Sequence, residues 1–228
     1  PDSVSGRVSL GGRFLMADLE NLTVDFRFRD KHLYLDSIYG IALGSCALEG
    51  RAEFDLGVKP ERYSASLDLA NFNLKNMVSH AFPSDLSGHL ELRGRSLKND
   101  SLVLTIAAEL SESTFDDYPI QHGTGLMEIT TRSITFPDTF FISYFENEFA
   151  ISGLVEYSRN IHLAVRAHLA NLDRYRGKLF LDQPGGRGFG EATLTGPTRD
   201  PHLDGYFVSD SVWLYGLQGG SCDISFHV

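Results

Sequence analysis

Ser101-Leu-Val-Leu-Thr-Ile-Ala-Ala-Glu-Leu110 and Phe149-Ala-Ile-Ser-Gly-Leu-Val-Glu-Tyr157 decide the fold class. Both alternate with a period of two: Leu102, Leu104, Ile106, Ala108 and Leu110 share one face, as do Phe149, Ile151, Gly153, Val155 and Tyr157. A helix would gather every third or fourth residue, so these runs predict strands with one dry and one wet face. Tyr63-Ser-Ala-Ser-Leu-Asp-Leu69 repeats the pattern, and so does the row Ile161, Leu163, Val165, Ala167 and Leu169.

Short turn signals separate the runs. Arg29-Asp30-Lys31, Gly57-Val-Lys-Pro60, Lys98-Asn-Asp100 and Ser158-Arg-Asn160 read as turns, as do the pairs Gly11-Gly12, Gly185-Gly186 and Gly219-Gly220. Strand, turn, strand is a meander, of about sixteen to twenty strands by this reading. One helical stripe interrupts it: Leu74, Met77, Val78 and Ala81 predict about two helical turns, ended by Pro83.

Aligning the glycines brings out a degenerate repeat. Gly6 and Gly12 are six residues apart, as are Gly88 and Gly94, and Gly190 and Gly196; each pair brackets a short alternating strand. Leu69-Ala-Asn71 recurs as Leu169-Ala-Asn171, followed by Leu74 and Leu172 at slightly different spacing. The units read as 5–86, 87–188 and a truncated 189–228, a segment of a longer repetitive chain. With almost no helix to cover the dry faces, a sandwich, a closed barrel or a sheet curled on itself would each hide them. The repeat favours an elongated stack.

Composition narrows the function classes. Acidic residues outnumber basic ones 30 to 20, for a net charge of −10, and no polybasic run interrupts the excess. That field repels phosphate backbones and argues against nucleic-acid partners and anionic headgroup docking. Cys46 and Cys222 stand far apart and away from any zinc-ligand spacing, and pairing between them stays open. The eight histidines are scattered, so no metal and no other cofactor is expected. Asp116-Asp117 reads as a turn rather than a catalytic carboxylate pair. Gln183-Pro-Gly-Gly-Arg-Gly-Phe-Gly190 lacks the Lys-Ser/Thr of a phosphate loop and reads as a flexible connection. Asn21-Leu-Thr23 and Asn99-Asp-Ser101 match glycosylation sequons, which matter only in a eukaryotic secretory chain. The dense aromatics Phe136, Phe140, Phe141, Tyr144, Phe145 and Phe149 suit core packing, a groove lining or a docking patch. Nothing here reads as an enzyme.

Two phrases carry a family resemblance. Thr193-Leu-Thr-Gly196 followed by Asp200-Pro201-His-Leu203-Asp-Gly205 resembles the "G-x-x-x-x-P-x-L-x-G" phrase of the TamB/AsmA-like proteins. Leu86-Ser-Gly-His-Leu-Glu-Leu-Arg-Gly94 resembles their "L-S-G-x-L-x-L-x-G" strand, and Ser152-Gly153-Leu-Val-Glu and Glu49-Gly50-Arg-Ala-Glu resemble the strand that follows. The second unit departs from the phrase, with Lys98-Asn-Asp100 where Asp-Pro is expected.

The resemblance implies an all-β fold: an elongated, curled antiparallel repeat sheet, the β-taco or groove, with at most one or two short helices. It implies a hydrophobic-groove segment of an intermembrane phospholipid transport protein that supports outer-membrane biogenesis. The location implied is the periplasm of a Gram-negative envelope, with the parent protein anchored in the inner membrane through parts outside this sequence, or the plastid envelope space. The partners implied are lipid acyl chains and an outer-membrane protein. The alternative is a structural or assembly scaffold that binds outer-membrane proteins by β-strand pairing. The candidate lining residues are Leu102, Leu104, Ile106, Phe149, Ile151, Val155, Ile161, Leu163 and Val165. The same alternation also serves a closed β core.

Overall fold

A computed structural model describes residues 3–14, 17–42, 45–76, 83–96, 98, 100–116, 118–175, 184–214 and 217–227. The chain is all-β, with antiparallel strand pairing throughout and two 3₁₀ turns among the described residues. It divides into two units, residues 1–131 and 132–228. The division falls inside the middle repeat read from the glycines.

Unit 1 holds β1 (Ser3–Phe14), β2 (Ala17–Arg29), β3 (His32–Ala42), β4 (Cys46–Asp55), β5 (Arg62–Phe72), β6 (Ser84–Arg95), β7 (Val103–Leu110) and β10 (His122–Thr130). They pair in that order, each with the next in sequence apart from a short hairpin inserted before β10. The hairpin, β8 (Ser113–Phe115) and β9 (Tyr118–Ile120), leaves the path and pairs with the start of β6 through Ser84 and Asp85. Unit 2 is a meander of β11 (Ser133–Tyr144), β12 (Asn147–Glu156), β13 (Asn160–Leu169), β14 (Pro184–Pro197), β15 (His202–Leu214) and β16 (Leu217–His227). Neither unit closes on itself as a barrel.

The tight turns follow local chemistry. Asp30 and Lys31 join β2 to β3, both with φ near the left-handed region (50° and 65°), the two-residue turn that matches strand twist. The paired glycines expected as turns behave differently. Gly11-Gly12, Gly185-Gly186 and Gly219-Gly220 lie inside β1, β14 and β16. Register shifts occur beside them, between Leu10 and Gly12 and between Arg187 and Phe189. Gly186 has φ +106°, and a Cβ there would stand 1.7 Å from the Ser211 carbonyl oxygen. These glycines serve bulges and close strand approach, so 184–190 is strand rather than a flexible connection.

The predicted helical stripe falls only in part on described residues. Leu74–Asn76 forms one 3₁₀ turn, η1, and residues 77–82 lie outside the described residues. Asn73 explains the arrangement: its side-chain oxygen accepts from the backbone N–H of Lys75 (3.0 Å) and of Ser84 (3.2 Å), tying the start of β6 to the start of η1. A second 3₁₀ turn, η2 (Leu172–Tyr175), follows β13 and carried no helical stripe in the sequence. Its capping side chain is Asn171, which accepts from the Asp173 N–H at 3.0 Å. The recurring Leu-Ala-Asn phrase therefore ends in equivalent structures, β5–η1–β6 and β13–η2–β14, with the cap shifted from Asn73 to Asn171. That shift accounts for the unequal spacing to Leu74 and Leu172.

Candidate functional site: the apolar sheet face

Register partners in an antiparallel sheet point to the same face, so the dry faces can be read strand by strand. In unit 1, Ala52, Ala65, Leu92, Ile106 and Met127 form one row across β4, β5, β6, β7 and β10. The adjacent row is Phe54, Tyr63, Gly94, Leu104 and Ile129. In unit 2, Phe140, Ile151, Val165, Ala192, Gly205 and Phe226 form a row across all six strands. Val155 and Ile161 pair directly on this face, and Leu163 lies between Gly153 and Leu194.

The candidate lining residues thus fall into two groups. Leu104 and Ile106 lie on the dry face of unit 1, with Leu102 half-buried just before β7. Phe149, Ile151, Val155, Ile161, Leu163 and Val165 share the dry face of unit 2. All nine are half-buried. A side chain in a sandwich core would be sealed by the opposing sheet. Here full burial is confined to smaller sets, such as Leu22, Val24 and Ile38, against which Phe26, Leu35, Leu48, Ala52 and Leu67 pack.

Large rings lie over glycines along these faces. A Cβ on Gly94 would meet the Tyr63 ring at 2.2 Å, one on Gly205 the Phe226 ring at 2.4 Å, and one on Gly188 the Phe207 ring at 2.3 Å. Each glycine leaves room for a ring from the next strand to lie flat across the sheet instead of standing upright. That thins the lining and keeps the face continuous.

The aromatic cluster divides by the same alternation. Phe136 and Phe140 meet edge to face with centroids 6.1 Å apart, and Phe140 is buried. Phe149 packs toward Leu169 and Leu172, whereas Phe141 is exposed on the opposite face and Phe145 is exposed in the β11–β12 turn. The side chain of Trp213 lies outside the described residues.

The wet faces carry cross-strand charge. Arg7 grips Asp25 through two bonds (2.6 and 2.8 Å), and Ser37 donates to the same carboxylate, holding it below the usual carboxylate range. Arg187 pairs with Asp210 and Arg166 with Glu191, both at 2.9 Å. His89 sits between Asp68 (2.8 Å) and Glu91 (3.1 Å), and its hydrogen bonds to both carboxylates raise its pKa. Ser66 lies 3.3 Å from Nε2 of the same ring, which gives the outline of a Ser–His–Asp relay. Glu91, however, approaches the same ring nitrogen and accepts a hydrogen bond from Ser66, so that nitrogen is shared between the serine and a carboxylate.

Among the described residues no group of three or more His, Cys, Asp and Glu side chains could hold a metal ion. Nor does any described helix have the length and apolarity to cross a membrane. Cys46 is buried at the start of β4, where burial pushes its thiol pKa up, and Cys222 is half-buried in β16; both are free thiols. No protein family, curated protein or solved structure matches the chain.

Proposed function

We propose that the chain is a lipid-conducting groove segment, whose dry sheet face shelters phospholipid acyl chains moving between membranes. The observation that carries this reading is the continuity of half-buried apolar rows across neighbouring strands, with no second layer of strands or helices over them among the described residues of either unit. An acyl chain in water costs about 0.8 kcal/mol per methylene, so a sixteen-carbon chain costs on the order of 12 kcal/mol. A continuous dry face removes most of that barrier while the headgroup stays in solvent. Such a lining needs alternation rather than a motif, and the TamB/AsmA-like phrases of the sequence point the same way. They also suggest a periplasmic or plastid-envelope setting and a role in outer-membrane biogenesis.

Mass spectrometry of the mildly purified segment tests the reading. Reproducible phospholipid in excess of a control β protein of similar size is expected, and its absence overturns the proposal.

A second reading rests on the outermost strands. Val4 in β1 is 61% exposed and Ile224 in β16 is 51% exposed, each continuing a dry row. A strand from an outer-membrane protein partner that pairs there would cover them. Cross-linking from Val4 or Ile224 to such a partner, with no lipid found, would favour the scaffold over the groove.

A further inference from the structure

Leu172 belongs to η2, not to a strand, yet it is one of the most buried apolar side chains of unit 2, at 6% exposure. It packs with Leu169, at 8%, and around the pair lie Tyr144, Phe149, Ala167 and Phe207. These come from the dry side of β11, β12, β13 and β15. The Phe207 ring crosses the missing side chain of Gly188, the register partner of Leu169, to reach the pair from beyond β14. Farther along the same strands, Ile151, Leu163 and Val165 are only half-buried.

The base of η2 is pinned. Asn147 at the start of β12 is 0% exposed. Its amide donates to the Asn171 carbonyl (3.2 Å), and its side-chain oxygen accepts from the Asn171 N–H (2.9 Å). A wholly buried amide that spends both ends on one backbone residue fixes where the chain leaves β13. Leu172 is thereby set down on the dry face.

We infer that Leu172 holds the place of a short stretch of acyl chain. It closes the part of the unit 2 face beside Phe149 and Phe207 to lipid and leaves the part lined by Ile151, Leu163 and Val165 open. The inference rests on the groove reading, and it assigns Leu172 as the residue that limits how much of a chain this face accepts.

Titration of the full chain with cis-parinaric acid, a fluorescent fatty acid, tests it. Leu172→Ser uncovers apolar surface worth two or three methylenes of chain, so binding tightens by roughly fifteen- to sixtyfold. Asn147→Ser leaves Leu172 itself unchanged but loosens the base of η2, and shifts affinity in the same direction by a smaller factor. Far-UV circular dichroism checks that each variant keeps its strands, and Asn147→Ser carries the test if Leu172→Ser does not fold. If the unaltered chain binds and neither folded variant binds more tightly, Leu172 is ordinary packing; the inference falls and the groove reading stands. Binding by a variant and not by the unaltered chain supports the inference. No binding by any of them overturns both.

Discussion

β6 and β14 carry the same glycine spacing but use it differently. In β6, Gly88 has φ +153° in mid-strand, and a Cβ there would lie 2.2 Å from the Glu109 carbonyl oxygen. Six residues on, Gly94 lies beneath the Tyr63 ring. In β14, Gly190 has ordinary strand geometry, with the Tyr206 carbonyl oxygen 3.2 Å from a would-be Cβ, and Gly196 adopts φ +96° next to the β14–β15 turn. The two pairs thus trade roles. One strand bends at its first glycine and accommodates a ring at its second, whereas the other runs straight past the first and changes direction at the second. The repeat conserves places where a side chain is missing on the dry face, and each strand's neighbours decide what fills them.

Substitution at the two first glycines should expose that difference most strongly. Gly88→Val places a β-branched side chain in a backbone region it avoids and drives its Cβ into the Glu109 carbonyl. A loss of about 3 kcal/mol or more is expected from urea unfolding. Gly190→Ala meets only a tight contact with Tyr206 and gains from a less flexible unfolded chain, so its stability changes by less than about 1 kcal/mol. Equal losses at the two positions would show that both strands bend, and that the spacing encodes one backbone device after all.

A charge on the dry face comes next in size. Ile106 stands between Leu92 and Met127, whereas Leu163 stands between Gly153 and Leu194, where the glycine leaves room for water. Ile106→Asp is expected to cost about 2 kcal/mol and Leu163→Asp about 1 kcal/mol, because both positions are half-buried and the carboxylate keeps part of its hydration. Both variants stay folded by circular dichroism and lose co-purifying phospholipid. Unfolding of either one would mark its unit as a sealed core.

The alternation made the strands, their antiparallel order and the membership of the two faces legible in the sequence, because period-two patterning is a local property. Asp30-Lys31 and Ser158 were legible as turns for the same reason. Gly185-Gly186 was misread because a glycine pair looks alike in a turn and at a bulge; only the neighbouring Ser211 carbonyl distinguishes them. The stripe from Leu74 to Ala81 is described only at its start, where Asn73 bonds both Lys75 and Ser84, a contact across eleven residues that no helical periodicity reports. Leu172 was visible only as the leucine after a repeated Leu-Ala-Asn phrase. Its burial depends on Phe207, two strands away in the pairing order, whose ring approaches through the gap left by Gly188 on the strand between.

The smallest expected effect separates the wet faces of the two units. Unit 1 fixes a histidine ring, His89, between two carboxylates on its wet face, whereas on β13 and β14 of unit 2 the cross-strand pair is Arg166–Glu191, a guanidinium against a carboxylate. His89 has its pKa raised first by the Asp68 hydrogen bond and then by that of Glu91, so the folded state holds the proton more tightly than the unfolded chain, whose value is about 6.5. The stabilisation is therefore complete below about pH 6.5 and is lost as pH rises through the higher folded value. Because the ring is well exposed, solvent screening keeps the effect small. Asp68→Asn should lower the His89 midpoint measured by NMR titration and reduce stability below pH 6.5 more than at pH 9. A midpoint unmoved by the substitution would mean that Glu91 alone holds the ring. The charge pairing between β5 and β6 would then contribute nothing that the fixed Arg166–Glu191 pair of unit 2 lacks.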